Sequence, residues 1–556
     1  MKQSTDITFF VVVAMAGATL AGCAVGPNYK PPKVELGPRF GEFANTNTNP
    51  SRPSESPPAV EWWRGFNDPE LNRLIAAALR ENYNLRVTAE RIRESRFQRS
   101  IIAADLFPNI NADGGYFRGR GSKNVVLQLS GTGGGSSGGG SSAGKGAGSG
   151  SSGSDPPGDP PGPGGGSTSS GSAGSTTQVG ANPFGNVLTP FGQGGLPGVT
   201  SSLYQVGFDS TWELDVFGGN RRRLEAAAAD LSAAVETLRD VSVSLMAEVA
   251  MDYLELRGTQ QRLAIARTNL ASQNETLRLT ESRANAGLTS RADVTRAAAQ
   301  AAITAATIPP LETSARRSIH ALSTLIAQEP TALSGELSSE QPLPVVPPEV
   351  PVGLPSELLQ RRPDIRRAER QIAAATARVG SAKADLFPKF ALTGNVGFDS
   401  TSPGNLFNWE SRYFLISPTV TWRIFDAGRI VSNIALQKAN QQESVLQYRG
   451  TILTALQEVE DALVGYGEEQ THHAALAKAL DQTEESFQLV RQQYEHGLAT
   501  FLDVLDAQRN VLSAQDQLAQ SGQAITTDLV ALYKALGGGW QIQNPQKNGP
   551  GNIPGP

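Results

Sequence analysis

The 556-residue chain has a single cysteine, Cys23, and four histidines. One thiol leaves no internal disulfide to staple a fold, and no Cys/His set has the spacing of a zinc site. No basic stretch is long enough to track nucleic acid, and the formal charge of −5 is mild. The apolar run at residues 7–19 is too short to cross a membrane as a helix. No nucleophile–base arrangement withstands its context. Gly139 to Lys145 mimics a phosphate-binding loop, but Gly146 stands where Ser or Thr is required and no helix follows. Proline is missing between residues 219 and 309 and again between 418 and 545, which permits very long helices. These absences argue against an enzyme and a nucleic-acid binder, and they imply no cofactor and no metal.

What is present is a duplication. Leu106-Phe107-Pro108 recurs as Leu386-Phe387-Pro388, Trp212 as Trp422, and Ala286-Gly287-Leu288 as His496-Gly497-Leu498. In each half 75 residues separate the tryptophan from the glycine. A repeat so long calls for two interlocked halves of one body rather than a string of domains. The halves differ between two strands, where the first carries a Gly/Ser-rich insertion at about 130–200. That composition cannot bury a core and reads as a flexible loop.

Each half follows one plan. Helices are predicted at about 69–105 and 355–385, each ended by its Leu-Phe-Pro because proline disfavours helix at the residue before it. Strands follow by strict alternation. Ile110, Ala112, Gly114 and Tyr116 share one face, as do Tyr204, Val206, Phe208 and Trp212. So do Phe390, Leu392, Val396 and Phe398, and then Phe414, Ile416, Val420, Trp422 and Ile424. The other face carries Asp113, Asp209, Glu213, Lys389, Thr393, Asn395 and Asp399. Segments of this length suit tilted membrane strands with a lipid side and a water side; a half-buried soluble sheet is the alternative. Four strands cannot close a conducting barrel, and an open sheet in lipid leaves unpaired edges. An oligomer is therefore implied, its subunit count left open.

Beyond the strands, Val249, Leu256, Leu263, Leu270 and Leu277 fall seven apart, and Val459, Tyr466, His473, Leu480 and Phe487 are their counterparts. This is a coiled-coil seam. Residues 220–286 form a helix of 67 residues, about 100 Å at 1.5 Å per residue, which suits a wall crossing the periplasm. Pro309-Pro310 and the segment 330–355 are expected to interrupt that wall. His472-His473 invites a metal reading, but adjacent residues face different ways on a helix and His473 lies on the seam, so a packed histidine is expected.

The apolar run ends in Leu20-Ala21-Gly22-Cys23, which resembles a bacterial lipobox. Residues 1–22 then form a signal peptide, and Cys23 carries the acyl chains; an ordinary cleavage site beside a chance cysteine is the alternative. Ala24 after the cysteine points to the outer membrane, and residues 23–60 read as a lipidated, extended tether.

Several further stretches carry a family likeness. They are Trp62-Trp63 with Phe66, Asp68 and Pro69; Glu213, Asp215, Phe217 and Gly218; Ile308 to Glu312; Leu359-x-Arg361-Arg362-Pro363-Asp364-Ile365; Phe425-Asp426-x-Gly428-Arg429; and Leu532 to Trp540. Together with the lipobox they resemble the TolC-like outer-membrane efflux channels, in their lipid-anchored branch. The resemblance implies an α+β membrane protein, with four transmembrane strands per protomer in a twelve-stranded barrel shared by a homotrimer, continued by a periplasmic α-helical tunnel. It implies one efflux repeat at 61–330, an equatorial linker at 331–354, a second repeat at 355–540 and a flexible tail at 541–556. The expected partners are a periplasmic adaptor, an inner-membrane RND-type pump and outer-membrane lipid. The expected role is passive exit of small molecules; an outer channel for type I protein secretion, or a structural envelope lipoprotein, are the alternatives.

The closed periplasmic end falls at the two Gly-Leu turns, where Gly287 and Gly497 can take the left-handed conformation that ends a helix. Ser290-x-x-Asp293 and Thr500-x-x-Asp503 read as capping boxes. Capping does not account for Asp506, which matches Arg296 in the other half and shares a helix face with Leu502. The resemblance assigns Leu502, Asp503, Asp506 and Tyr494 to the gate; a solvated surface is the alternative for Asp506.

Overall fold

Prolines and capping residues set most of the breaks in this chain, and the two 67-residue helices run where no proline occurs. The computed structural model describes residues 24–42, 51–57, 59–120 and 200–543. The signal peptide, Cys23, most of the Gly/Ser-rich loop and the tail beyond 543 lie outside the described residues. In chain order the elements are β1 (Arg52–Ser54), α1 (Pro69–Glu81), α2 (Tyr83–Ala104), β2 (Asn109–Arg120), β3 (Thr200–Leu214), α3 (Gly219–Asn285) and α4 (Arg291–Leu325). The rest are α5 (Ser334–Leu337), β4 (Glu349–Pro351), α6 (Pro355–Arg361), α7 (Pro363–Ala384), β5 (Lys389–Ser400), β6 (Arg412–Thr421), α8 (Arg429–Glu495) and α9 (Phe501–Ala535). The duplication holds in residue counts: α3 and α8 both have 67, α4 and α9 both 35, α2 and α7 both 22.

Three expectations need correction. The helices expected at 69–105 and 355–385 are each two helices. Asn82 breaks the first: its backbone N–H donates to Ala78 O at 3.0 Å to close α1, and its side chain accepts from Leu85 N at 3.2 Å to open α2 while donating to Leu325 O at 2.8 Å. Arg362 breaks the second with ψ 120, the extended conformation forced on a residue before proline. Conversely, Pro309 and Pro310 lie inside α4 and do not interrupt it. Both prolines are exposed, and each costs the helix one backbone hydrogen bond. The fourth strand ends at Thr421, short of Trp422 and Ile424. There Trp422 Nε1 donates to Leu386 O at 3.1 Å, and Asp426 accepts from Gly428 N and Ile430 N to start α8.

The described chain divides into two units. The helical unit takes the described residues within 1–107, 213–390 and 420–556. In it α3 packs against α2, α4, α7 and α9, while α8 packs against α7 and α9. Thus α7 and α9 each pack against both long helices, while α2 and α4 pack mainly against α3. The seam is fully buried at Val249, Leu256, Val459 and Tyr466 and half-buried at Leu270, Leu277, Leu480 and Phe487. Its core gathers Trp62, Trp63, Phe66, Met246, Tyr253 and Tyr533. Trp62 stacks on Tyr533 with centroids 5.1 Å apart, and Trp540 donates to Arg361 O at 2.7 Å while Arg239 and Arg366 lie over its ring. This gives a physical reason for both the Trp-Trp pair and the Gly-rich ending. Arg362 holds Asp364, Glu458 and the Ala535 carbonyl at once, which explains the Arg-Arg-Pro-Asp stretch.

The described part of the expected tether is strapped to this body. Arg222 binds the Val25 carbonyl and Asn28, Tyr29 donates to Glu369 at 2.9 Å, and Glu460 accepts from Gly41 N and Glu42 N. Further on, Ser51 N donates to Gln470 at 3.0 Å, and β1 pairs in parallel with β4.

The strand unit takes the described residues within 108–212 and 391–419, and its sheet has the order β2-β3-β5-β6. β2 and β3 pair antiparallel from Asn109↔Thr211 to Arg120↔Thr200, so even-numbered residues face even-numbered ones. Tyr413 reaches across the odd-numbered face to Gln205 at 2.9 Å. It can do so because Gly207 and Gly397 lie beneath it, where any Cβ would collide.

Candidate functional site

The two hairpin tips are built alike. Gly287 and Gly497 both take φ 76. Gly287 N donates to Ala284 O and Leu288 N to Arg283 O; Gly497 N donates to Tyr494 O and Leu498 N to Gln493 O. This double bond pattern closes a helix C-terminus on a left-handed residue, which glycine adopts without steric cost. The return helices open with reciprocal caps. Asp293 N donates to Ser290 Oγ at 3.2 Å while Asp293 Oδ2 accepts from Ser290 N at 3.3 Å. Thr500 and Asp503 repeat this at 3.4 and 2.8 Å. Hydrogen bonds from Ser290 and Thr289 hold Asp293 below the usual carboxylate range, and those from Thr500 do the same for Asp503. Each therefore stays ionised at neutral pH, and its capping contribution fades only as pH falls through the lowered pKa.

Beyond the caps the tips differ. Phe501, Val504 and Leu505 are buried, whereas Leu502 and Asp506 stand exposed, one turn apart on the same face of α9. Asp506 lies 3.5 Å from Arg509, and Arg296, its counterpart in the first half, pairs instead with Asp293 at 3.2 Å. Tyr494 sits between Phe501, centroids 5.8 Å apart, and the Arg283 guanidinium, 4.7 Å from its ring. A cation over an aromatic face is attractive, so this contact ties the end of α3 to the end of α8. Arg509 Nε donates to Gln300 on α4 at 2.5 Å, and Arg262 pairs with Asp516 at 2.7 Å, adding two further links between the hairpins.

Arg283, Gln300 and Arg509 are the residues that sequence reading missed. Heptad spacing marks which positions face a neighbouring helix but not which charged residue on one hairpin meets which partner on the other. His473 is half-buried beside Gly522, and burial pushes its pKa down. Among the described residues no group of three His, Cys, Asp or Glu converges on a metal position.

A family model described as outer membrane efflux protein matches residues 165–328 and 354–538, over half of the chain and one segment in each repeat. The chain belongs to the outer membrane efflux protein family. It is 29% identical over 537 residues to Nodulation protein T of Rhizobium leguminosarum bv. viciae, covering 96% of this chain and 94% of that one. It is 30% identical over 539 residues to the toluene efflux pump outer membrane protein TtgF of Pseudomonas putida, covering 96% and 97%. The outer-membrane channel OprN matches in structure with a TM-score of 0.77 at 33% identity, over 93% of this chain and 100% of that chain. The TolC-like resemblance therefore stands, and the fold is that of these outer-membrane channels. This family member is an outer-membrane efflux protein.

Proposed function

We propose that three copies of this chain close a common barrel and a helical tunnel, through which small molecules leave the periplasm passively. The observation that carries this reading is that each unit is open at both of its ends. The sheet ends on β2 and β6, with nothing among the described residues to pair their outer edges. In the helical unit, α2 exposes Tyr83, Val87, Phe97 and Ile101, and α8 exposes Leu446 and Leu453. Stripes of this kind mark surfaces that bind a partner. A heterologous contact of first-half elements on second-half elements generates a ring. Two copies would give eight strands, a barrel that side chains fill; three is the smallest number that leaves a lumen.

Within this reading an adaptor and an RND-type pump supply substrate and energy from below. The toluene efflux relative supports small apolar toxicants as the cargo class. Leu502, Asp503, Asp506 and Tyr494 form the periplasmic gate, with Gly287, Gly497 and Asp293 shaping the tips. Stepwise single-channel currents from purified protein in planar bilayers test the reading; an intact oligomer that passes no current would refute it.

Lipid anchoring at Cys23 is part of the proposal. The next residue, Ala24, lies against Gly218, and Val25 N donates to Phe217 O at 3.0 Å, where β3 gives way to α3. Ala24, the residue after Cys23 in sequence, is thus held near the end of β3. Each buried CH₂ adds about 0.8 kcal/mol, so several chains anchor firmly. Cys23→Ser is expected to abolish labelling by radioactive palmitate while the trimer still forms; labelling retained in that variant would sink the anchor.

A further inference from the structure

The two faces of the sheet divide its charges unevenly. Asp113, Asp209, Glu213, Lys389 and Asp399 all stand on the odd-numbered face. The even-numbered face, that of Ile110, Phe390 and Phe414, carries only Arg118, Arg120 and Arg412 among the described strand residues. All three are exposed, and all three lie at one end of the sheet. Arg118 and Arg120 end β2, opposite Ser202 and Thr200. Lys389 lies near Glu213, and Gly397 near Gly207, so β5 runs against β3; Thr419 donates to Ala391 O, so β6 runs against β5. Arg412, the first residue of β6, therefore shares the end of Arg118 and Arg120, away from the ends that continue into α3 and α8.

On a lipid-facing position an arginine is tolerated near the interface and costly at the midplane. Three arginines on that face, with no carboxylate beside them among the described strand residues, form a rim suited to anions. Arg412 is already set: it donates to Trp409 O at 2.8 Å and lies 3.8 Å from the Trp409 ring centroid. An aromatic residue held at this level suits a headgroup boundary. β2 and β6 are also the two edges of the sheet. Resting on the three-copy reading, Arg412 of one copy joins Arg118 and Arg120 of the next at each of the three seams.

We propose that each seam binds the phosphate groups of a phosphorylated glycolipid in the outer leaflet, so that lipid joins neighbouring copies at the rim. Guanidinium groups recognise phosphate through paired N–H donors, and a phosphate at the leaflet surface lies at the depth of these side chains.

The test compares the full-length protein with an Arg118→Gln/Arg120→Gln/Arg412→Gln variant. Oligomeric state is read by light scattering, and binding of bisphosphorylated or dephosphorylated lipid A by native mass spectrometry. The wild-type trimer is expected to prefer the phosphorylated lipid roughly tenfold, as hydrogen bonds to charged groups would give. The triple variant should remain trimeric and lose the preference, and Arg412→Gln alone should lose part of it. Lys389→Gln, on the other face, should keep it. A trimeric wild type without preference, or a trimeric triple variant that keeps it, overturns the lipid site alone. A wild type that is not trimeric overturns the three-copy reading beneath it.

Discussion

Alanine at Leu502 or at Asp506 is expected to raise single-channel conductance several-fold and to admit bulky antibiotics. Both side chains are exposed, Leu502 at 43% and the Asp506 side chain at 58%, so their loss leaves the packing of Phe501, Val504 and Leu505 intact. In a trimer the three leucines would exclude water and large solutes near the axis, and the three carboxylates would draw in cations. Asp506→Ala should therefore also weaken cation selectivity and divalent-ion block. On the proposed reading, opening would require the helices to part, and an adaptor that binds the open state better would favour it. Arg283→Ala should raise conductance too, because it releases Tyr494 and with it the tie between α3 and α8. Asp293→Ala is the control: it removes a cap worth ~1 kcal/mol and should leave selectivity unchanged. Unaltered conductance in both the Leu502 and Asp506 variants would place the constriction elsewhere.

The largest effect on assembly is expected from Gly539→Ala. Gly539 has φ +108, and an added Cβ would lie 2.5 Å from Met246 Cε and 3.3 Å from the Trp63 ring. Overpacking costs about 1–3 kcal/mol, and a non-glycine residue held in so sparsely populated a backbone region adds about 1–3 kcal/mol. The measurable outcome is a sharp fall in trimer yield and in the temperature at which trimers dissociate. Met246 ends in a flexible thioether, so the Gly539→Ala/Met246→Ala double variant should recover the overpacking part and not the backbone part. A single variant as stable as wild type would show that the Gly-rich ending is not a packing device.

The long helices were legible because nothing interrupts their pattern. A heptad seam from Val249 to Leu277 without proline leaves no other reading, and α3 falls within one residue of its expected bounds. Capping boxes were equally visible, since Ser290 and Asp293, or Thr500 and Asp503, satisfy each other locally. What sequence missed depends on distant partners. Asn82 can break a helix because Leu325, over two hundred residues away, takes its amide. Pro309 and Pro310 can stay inside one because that face of α4 is open to water. The Pro- and Asn-rich segment after Cys23 read as an extended tether, but the groups that strap its described part down, Arg222, Glu369 and Glu460, lie on helices far along the chain. At the tip, spacing alone placed Leu502 and Asp506 on one helix face, whereas the Arg283–Tyr494 contact needed the two hairpins side by side.

On the proposed reading these strands span the outer membrane with one face to lipid and one to a water-filled lumen. Single cysteines introduced in a Cys23→Ser background, in intact outer membranes, test it most directly. Cysteines at Phe390 and Val396 are expected to react with lipid-soluble probes, and those at Thr393 and Asn395 with small water-soluble ones. Reversed labelling, or equal labelling at all four positions, would contradict the barrel and with it the channel.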